Sequence, residues 1–220
     1  MRRGAAVLAL LLVAAGCGGS SKHPVSTPIP PQPANAAAAC SKVKVPAPRH
    51  NRDRPQPTPL APGKTYTALV ATNCGSFRVT LDLKQSPHAV ASFVALARAS
   101  FFDRTIFHRI VPGFVIQGGD PTQTGTGGPG YSTVDTPPKD ARYEQGVVAM
   151  AKTQSEAPGT AGSQFFVVTA ADAGLPPDYA IVGRVTSGLP VVLRIGTLGS
   201  VKSEQPTRIV EILSVRVSVS

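Results

Sequence analysis

The chain of 220 residues contains no Trp, three Cys and two Met, and its aromatic and charged fractions are low, at 5% and 15%. Each shortage closes off a class. Three Cys cannot build a dense disulfide scaffold, and none is spaced Cys-x-x-Cys, so a thioredoxin-like redox motif is missing. Two Met exclude a Met-rich binding groove. No apolar stretch approaches the ~20 uncharged residues that cross a bilayer, which rules out a helical pore or transporter. No Walker motif, His-Glu-x-x-His or Gly-x-Ser-x-Gly occurs, and His23, His50, His88 and His108 show no metal-ligand spacing. No metal or cofactor is expected. Apolar residues, by contrast, make up 42% of the chain, alongside 22 Pro and 21 Gly. That suffices for one sizeable core joined to a low-complexity segment.

The net charge of +10 is unevenly spread. Residues 1–64 carry nine Lys/Arg against Asp53 alone, giving +8, whereas residues 65–220 carry thirteen against eleven acids, giving +2. Nucleic-acid binding needs a basic face on the folded part, so no nucleic-acid partner is expected. The basic tail is either simply solvated or, if tethered, drawn to anionic lipid.

Arg2 and Arg3 precede the apolar run Ala5–Ala15, the pattern of a secretory signal. Residues 1–17 are read as a signal peptide. Its end, Ala14-Ala15-Gly16-Cys17, resembles the bacterial lipoprotein lipobox. That resemblance implies acylation of Cys17 and anchoring to the lipid bilayer on the outer face of the cell membrane. Ala14 stands where Leu is more usual, and the same small residues suit an ordinary signal peptidase, which would release a secreted protein. Cys40 and Cys74 remain as an even pair in an exported chain, where oxidation is favoured. They are expected to form a disulfide between the end of the linker and the first strands, two unpaired thiols being the alternative. Residues 18–63 hold eleven of the prolines and few apolar side chains besides Ala. They are read as a disordered, extended spacer.

The folded domain is expected over residues 64–220. Phe77, Val79, Leu81 and Leu83 alternate with polar residues, the period of a half-buried strand. Ser86-Pro87 predicts a helix start with Ser86 as N-cap. Further strands are expected at Thr67–Ala71, Thr105–Ile110, Phe114–Gln117, Gly146–Ala151, Gln164–Thr169, Ala180–Val185 and Ile209–Val219, with a second helix at Leu189–Gly196. Many short strands and two short helices suggest a β-barrel with helices over its ends.

Phe107-His108-Arg109-Ile110-Val111-Pro112-Gly113-Phe114-Val115-Ile116-Gln117-Gly118-Gly119-Asp120 is similar to the signature of the cyclophilins, the peptidyl-prolyl cis-trans isomerase family. Gly162-Ser163-Gln164-Phe165-Phe166 resembles the family's second signature, and the helical run Val90–Ala97 also matches. The similarity spans about residues 65–218. It implies a mainly β fold, a closed eight-stranded antiparallel barrel capped by two α-helices. It also implies isomerisation of X–Pro bonds, with Arg109 as the catalytic residue. Phe114, Val115, Phe166 and Leu175 would grip the proline ring. Gln117 and Gln164 would be polar contacts, the backbone at Ala151 and Lys152 would hold the substrate chain, and Tyr179 stands where many members have His. Gly174 replaces a Trp that eukaryotic members often carry, so weak inhibition by cyclosporin is expected.

Periodicity alone makes Phe114 and Phe166 core residues, and Gln117 and Gln164 could equally satisfy backbone groups. His108, next to Arg109, faces the other way and is read as a buried structural histidine. Gly125–Gly130 fits Gly-x-Gly-x-x-Gly literally, but Pro129 and the following residues favour a loop over the helix that a dinucleotide site needs. The expected protein is a monomeric isomerase acting on proline-containing exported polypeptides. A proline-segment binding module or chaperone with little turnover is the alternative.

Overall fold

The computed structural model describes residues 40–50 and 55–220. The signal peptide, Cys17 and the first part of the Pro-rich segment lie outside the described residues.

The domain begins with an antiparallel hairpin, β1 (Tyr66–Thr72) and β2 (Gly75–Leu81), followed by helix α1 (Pro87–Arg98). Then come β3 (Thr105–Ile106), β4 (Arg109–Val111), β5 (Val115–Gly118), β6 (Thr133–Val134), β7 (Val147–Met150), β8 (Thr160–Ala161) and β9 (Phe165–Val168). Strand β10 (Ile181–Ser187), helix α2 (Leu189–Gly196) and strand β11 (Glu211–Val219) complete it. Nine strands form one curled antiparallel sheet in the order β3-β11-β1-β2-β10-β7-β9-β5-β4, and β6 pairs with β8 apart from it. The single strand expected over Thr105–Ile110 is split into β3 and β4 by Phe107-His108. The ladder runs through nine strands, two of them from that one expected strand, and among the described residues β3 and β4 are not paired.

Strands β5, β7 and β9 are buried almost throughout, as VIQG, VVAM and FFVV. Their two faces serve different clusters. Ile116, Val148, Met150, Phe165 and Val167 enter the main core with α1, whereas Val115, Val147, Ala149, Phe166 and Val168 form a second cluster on the other face. Period-two geometry therefore puts Val115, Gln117 and Phe166 on one surface. The main core is centred on aromatic edges: Phe165 lies 5.7 Å from both Phe93 and Phe102, and 6.0 Å from Phe107.

Helix α1 buries Val90, Phe93, Val94, Leu96 and Ala97. Ser86 occupies the N-cap position, but its hydroxyl makes no cap hydrogen bond. The carboxylate of Asp135 does that work from a distant loop, accepting from Ala89 N at 2.6 Å and contacting His88 Nδ1 at 2.7 Å. Satisfying an orphan donor of the first turn in this way also suits the helix dipole.

The Pro-rich segment from Cys40 to His50, read from composition as spacer, lies against the domain. Cys40 is disulfide-bonded to Cys74. Ser41 N donates to Asn73 O at 2.9 Å, and Asn73 Nδ2 returns a bond to Ser41 O. Pro46 is buried and its carbonyl accepts from Gln123 Nε2 at 2.8 Å. Arg49 N donates to Pro121 O, and its guanidinium reaches Phe101 O and Asp103 O. The disulfide closes a loop of 34 residues in sequence separation. A C40S/C74S variant is expected to lose about 3–4 kcal/mol of unfolding free energy in urea titrations. Reducing the wild type should reproduce the loss; an unchanged midpoint in both experiments would mean that the strap adds nothing.

Candidate active site

Arg109 opens β4 and is directly opposite Gln117 on β5, which in turn is opposite Phe166 on β9. This register aligns a cation, an amide and a phenyl ring across three neighbouring strands. The Arg109 guanidinium carbon is 6.0 Å from the centroid of the Phe114 ring. Arg109 Nη1 points to Gln117 Oε1 at 3.4 Å, and Gln117 Nε2 donates to Gln164 Oε1 at 3.0 Å. The guanidinium is also paired with Glu204, whose carboxylate accepts from Nε at 2.7 Å.

Phe114 joins this cation to an apolar cluster. Val115 and Phe166 are buried in it, while Phe114, Leu175, Tyr179 and Ala151 are half-buried and form its rim. Phe166 and Tyr179 meet edge to face at 5.4 Å. Gly174 adopts φ +61 and has open space where a Cβ would project, so the rim carries no wall at that point. The structure thus brings Arg109, Gln117 and Gln164 together by hydrogen bonds, and Phe114, Val115, Ala151, Phe166, Leu175 and Tyr179 into one apolar cluster. A concavity of about 1100 Å³ lies elsewhere, between Lys64, Leu83 and Arg184, and includes none of Arg109, Phe114, Gln117 or Phe166.

Of the expected backbone contacts, the amide of Ala151 is already engaged, donating to Gln164 O at 2.8 Å. The Lys152 side chain is buried. Its ammonium donates to Thr153 O and Glu156 O at 3.2 Å and lies 5.5 Å from the Tyr179 ring centroid. It thereby ties loop 153–156 to the rim.

Tyr143 carries no motif, yet it supports this cluster. It is fully buried, its hydroxyl donates to Tyr179 O at 2.8 Å and accepts from Tyr179 N at 2.9 Å. Burial pushes its hydroxyl up to about 12, so it is neutral throughout the ordinary pH range. His108 is half-buried with neither ring nitrogen hydrogen-bonded. Burial lowers its pKa, Asp120 pulls it up and Arg109 pushes it down, with the net result below 6.5. A neutral imidazole thus sits beside Arg109, consistent with a structural residue.

The glycine-rich stretch is a loop closed on Asp120. This carboxylate accepts from Thr122 N, Thr122 Oγ1, Thr124 N, Gly125 N and Gly127 N at 2.7–3.1 Å. The amides that a phosphate would need are taken. The carbonyls of Gly125 and Gly127 face outward and accept from Gln164 Nε2, fixing its orientation. Burial pushes the Asp120 carboxyl up, but the bonds from Thr122, Gly127 and Gly125 more than offset it, and the net pKa is lowered. A carboxyl depressed on folding stabilises the protein above its unfolded pKa of about 3.9, and this is lost as pH falls through the folded value. Asp120→Asn is accordingly expected to cost about 1.5–3 kcal/mol at pH 7. The gap from wild type should close below about pH 4 in denaturation at stepped pH, and a gap independent of pH would contradict the caged carboxylate.

Comparison with known proteins gives the same family from three directions. The model of the family "Cyclophilin type peptidyl-prolyl cis-trans isomerase/CLD" matches residues 67–217. The chain is 37% identical over 150 residues to the peptidyl-prolyl cis-trans isomerase CYP18-2 of Arabidopsis thaliana, covering 66% of this chain and 90% of that one. It is 36% identical over 170 residues to a probable peptidyl-prolyl cis-trans isomerase A of Mycobacterium leprae, covering 69% of this chain and 92% of the relative. A crystal structure of a cyclophilin-type isomerase from Cryptosporidium parvum superposes with a TM-score of 0.65 at 32% identity, covering 70% of this chain and 98% of that one. With a family model spanning most of the chain and the signature residues converging on one cluster, the chain belongs to the cyclophilin-type peptidyl-prolyl cis-trans isomerase family.

Proposed function

We propose that this protein accelerates cis-trans isomerisation of X–Pro bonds in exported polypeptides. The observation that carries the reading is the guanidinium of Arg109 beside an apolar cluster, 6.0 Å from the Phe114 ring and hydrogen-bonded to Gln117. Rotation about an imide needs no nucleophile; the obstacle is amide resonance. In the twisted state the prolyl nitrogen becomes pyramidal and regains its lone pair. An Arg109 Nη–H donated to that nitrogen is stronger in the twisted state than in the planar one, which is the condition for catalysis. The proline ring sits on Val115 and Phe166 between Phe114 and Leu175, and the carbonyl of Ala151 and the amide of Lys152 hold the flanking chain. The curled sheet with its two helices is read as the family's closed eight-stranded barrel.

The client class and the location rest on the sequence. Residues 1–17 act as the signal, and acylated Cys17 tethers the chain to the outer face of the cell membrane. Proteins that fold after export meet slow X–Pro steps there. The domain works as a monomer. Cys17→Ser should move the protein from the membrane fraction to the medium; equal partitioning of both forms would remove the tether from the reading.

Arg109→Ala is expected to lower kcat/KM by about 10- to 100-fold, the worth of one charged hydrogen bond. A protease-coupled assay on an Ala-Pro-Phe peptide measures it. An unchanged rate would overturn the assigned role, and a wild type that binds the peptide without accelerating it would make the protein a binding module.

A further inference from the structure

We infer that Glu204 is a positioning residue for the guanidinium of Arg109, an inference that rests on the catalytic reading of Arg109 above. Glu204 lies in the turn after α2, 95 residues from Arg109 in sequence. The turn is closed on itself: Ser200 N donates to Gln205 O, Glu204 N to Ser200 O and Thr207 N to Leu198 O, all at 2.7–2.9 Å. It is also docked against β4. Ile110 N donates to Glu204 O at 2.8 Å, and a Cβ at Gly199 would collide with Ile110 O. Backbone contact therefore fixes the place of Glu204 beside the strand that carries Arg109.

Within that turn Glu204 adopts φ +58. Left-handed backbone suits Gly, and to a lesser degree Asn, whereas a Glu there is strained. The backbone bond to Ile110 needs no side chain at all, so the turn by itself does not account for a carboxylate at this position. Among the described residues the carboxylate has one partner, Arg109 Nε, at 2.7 Å. Strain kept at a side chain that touches a functional group is the pattern of a site that spends stability on geometry.

The geometry says what is gained. A guanidinium is planar, with its donors in a fixed fork. With Nε held by Glu204 and Nη1 directed at Gln117, the plane is held from two sides, and the remaining Nη donors are left for the imide. Without Glu204, Nε is free to turn toward solvent, since the Arg109 side chain is one-third exposed. Glu204 touches neither substrate nor reacting atoms; it acts through Arg109.

Glu204→Gly separates the side chain from the turn, because it removes the carboxylate while favouring φ +58. The variant should melt at or above the wild-type temperature while kcat falls about five- to tenfold and KM stays within about twofold. The Arg109 Nε–H resonance should exchange faster with water. Glu204→Gln, which keeps an acceptor oxygen, should recover the rate to within about twofold. In the R109A background Glu204→Gly should have no further effect. Wild-type kcat in Glu204→Gly alongside an impaired Arg109→Ala would overturn the inference and leave the role of Arg109 standing. A fully active Arg109→Ala would instead overturn the catalytic reading itself. Loss of both rate and melting temperature in Glu204→Gly, without rescue by Glu204→Gln, would reduce Glu204 to a structural residue.

Discussion

Polar groups set among strands buried on both faces must satisfy one another, and this constraint organises the molecule. Strands β5 and β9 are apolar on both sides, and Gln117 interrupts the first while Gln164 stands just before the second. The structure answers with an unbroken chain of hydrogen bonds: Glu204 to Arg109, Arg109 to Gln117, Gln117 to Gln164, and Gln164 to the carbonyls of Gly125 and Gly127. Asp120 then takes the amides of the same loop. Every member orients the next, so the fork of Arg109 meets the apolar cluster in one arrangement rather than several.

Much of this was legible in residues close together in sequence. Alternation marked β2 and β11, and the second helix runs over Leu189–Gly196 as expected. Motif residues Arg109, Phe114, Gln117, Gln164 and Phe166 do converge. The features that were not legible depend on distant partners. Two-residue strands such as β6 and β8 have no period to detect. Ser86 has the right chemistry for a cap, but the donor it would serve is taken by Asp135 from 46 residues away. Tyr143 looks like any aromatic residue until Tyr179 closes over its hydroxyl, and Glu204 looks like a surface acid until the turn after α2 docks on β4.

The Pro-rich segment shows a different limit. Extended proline-rich chain makes no hydrogen bonds of its own, so composition alone cannot distinguish a free spacer from a strap bound to a neighbour. Residues 40–50 are of the second kind. Their contacts have a functional bearing, because Arg49 and Pro46 hold Pro121 and Gln123, which flank the loop that orients Gln164. The Cys40–Cys74 bond at the head of the strap forms in oxidising surroundings.

Magnitudes decide how the site would divide its labour. Uncatalysed X–Pro isomerisation takes tens to hundreds of seconds, and reaching about a millisecond requires roughly 10⁵-fold, or about 7 kcal/mol. One charged hydrogen bond from Arg109 would supply about 1.5–3 kcal/mol. The balance has to come from the apolar cluster. A twisted imide has lost resonance and is less polar than a planar one, so an apolar, water-poor surface favours it. Val115 and Phe166 are buried and provide that surface, and Tyr143 beneath them adds no charge because its hydroxyl titrates only at about 12. The rim at Tyr179 is braced by Tyr143 on one side and by the Lys152 ammonium on the other. On these numbers the packing behind a bound proline ring would matter at least as much as the cation in front of it.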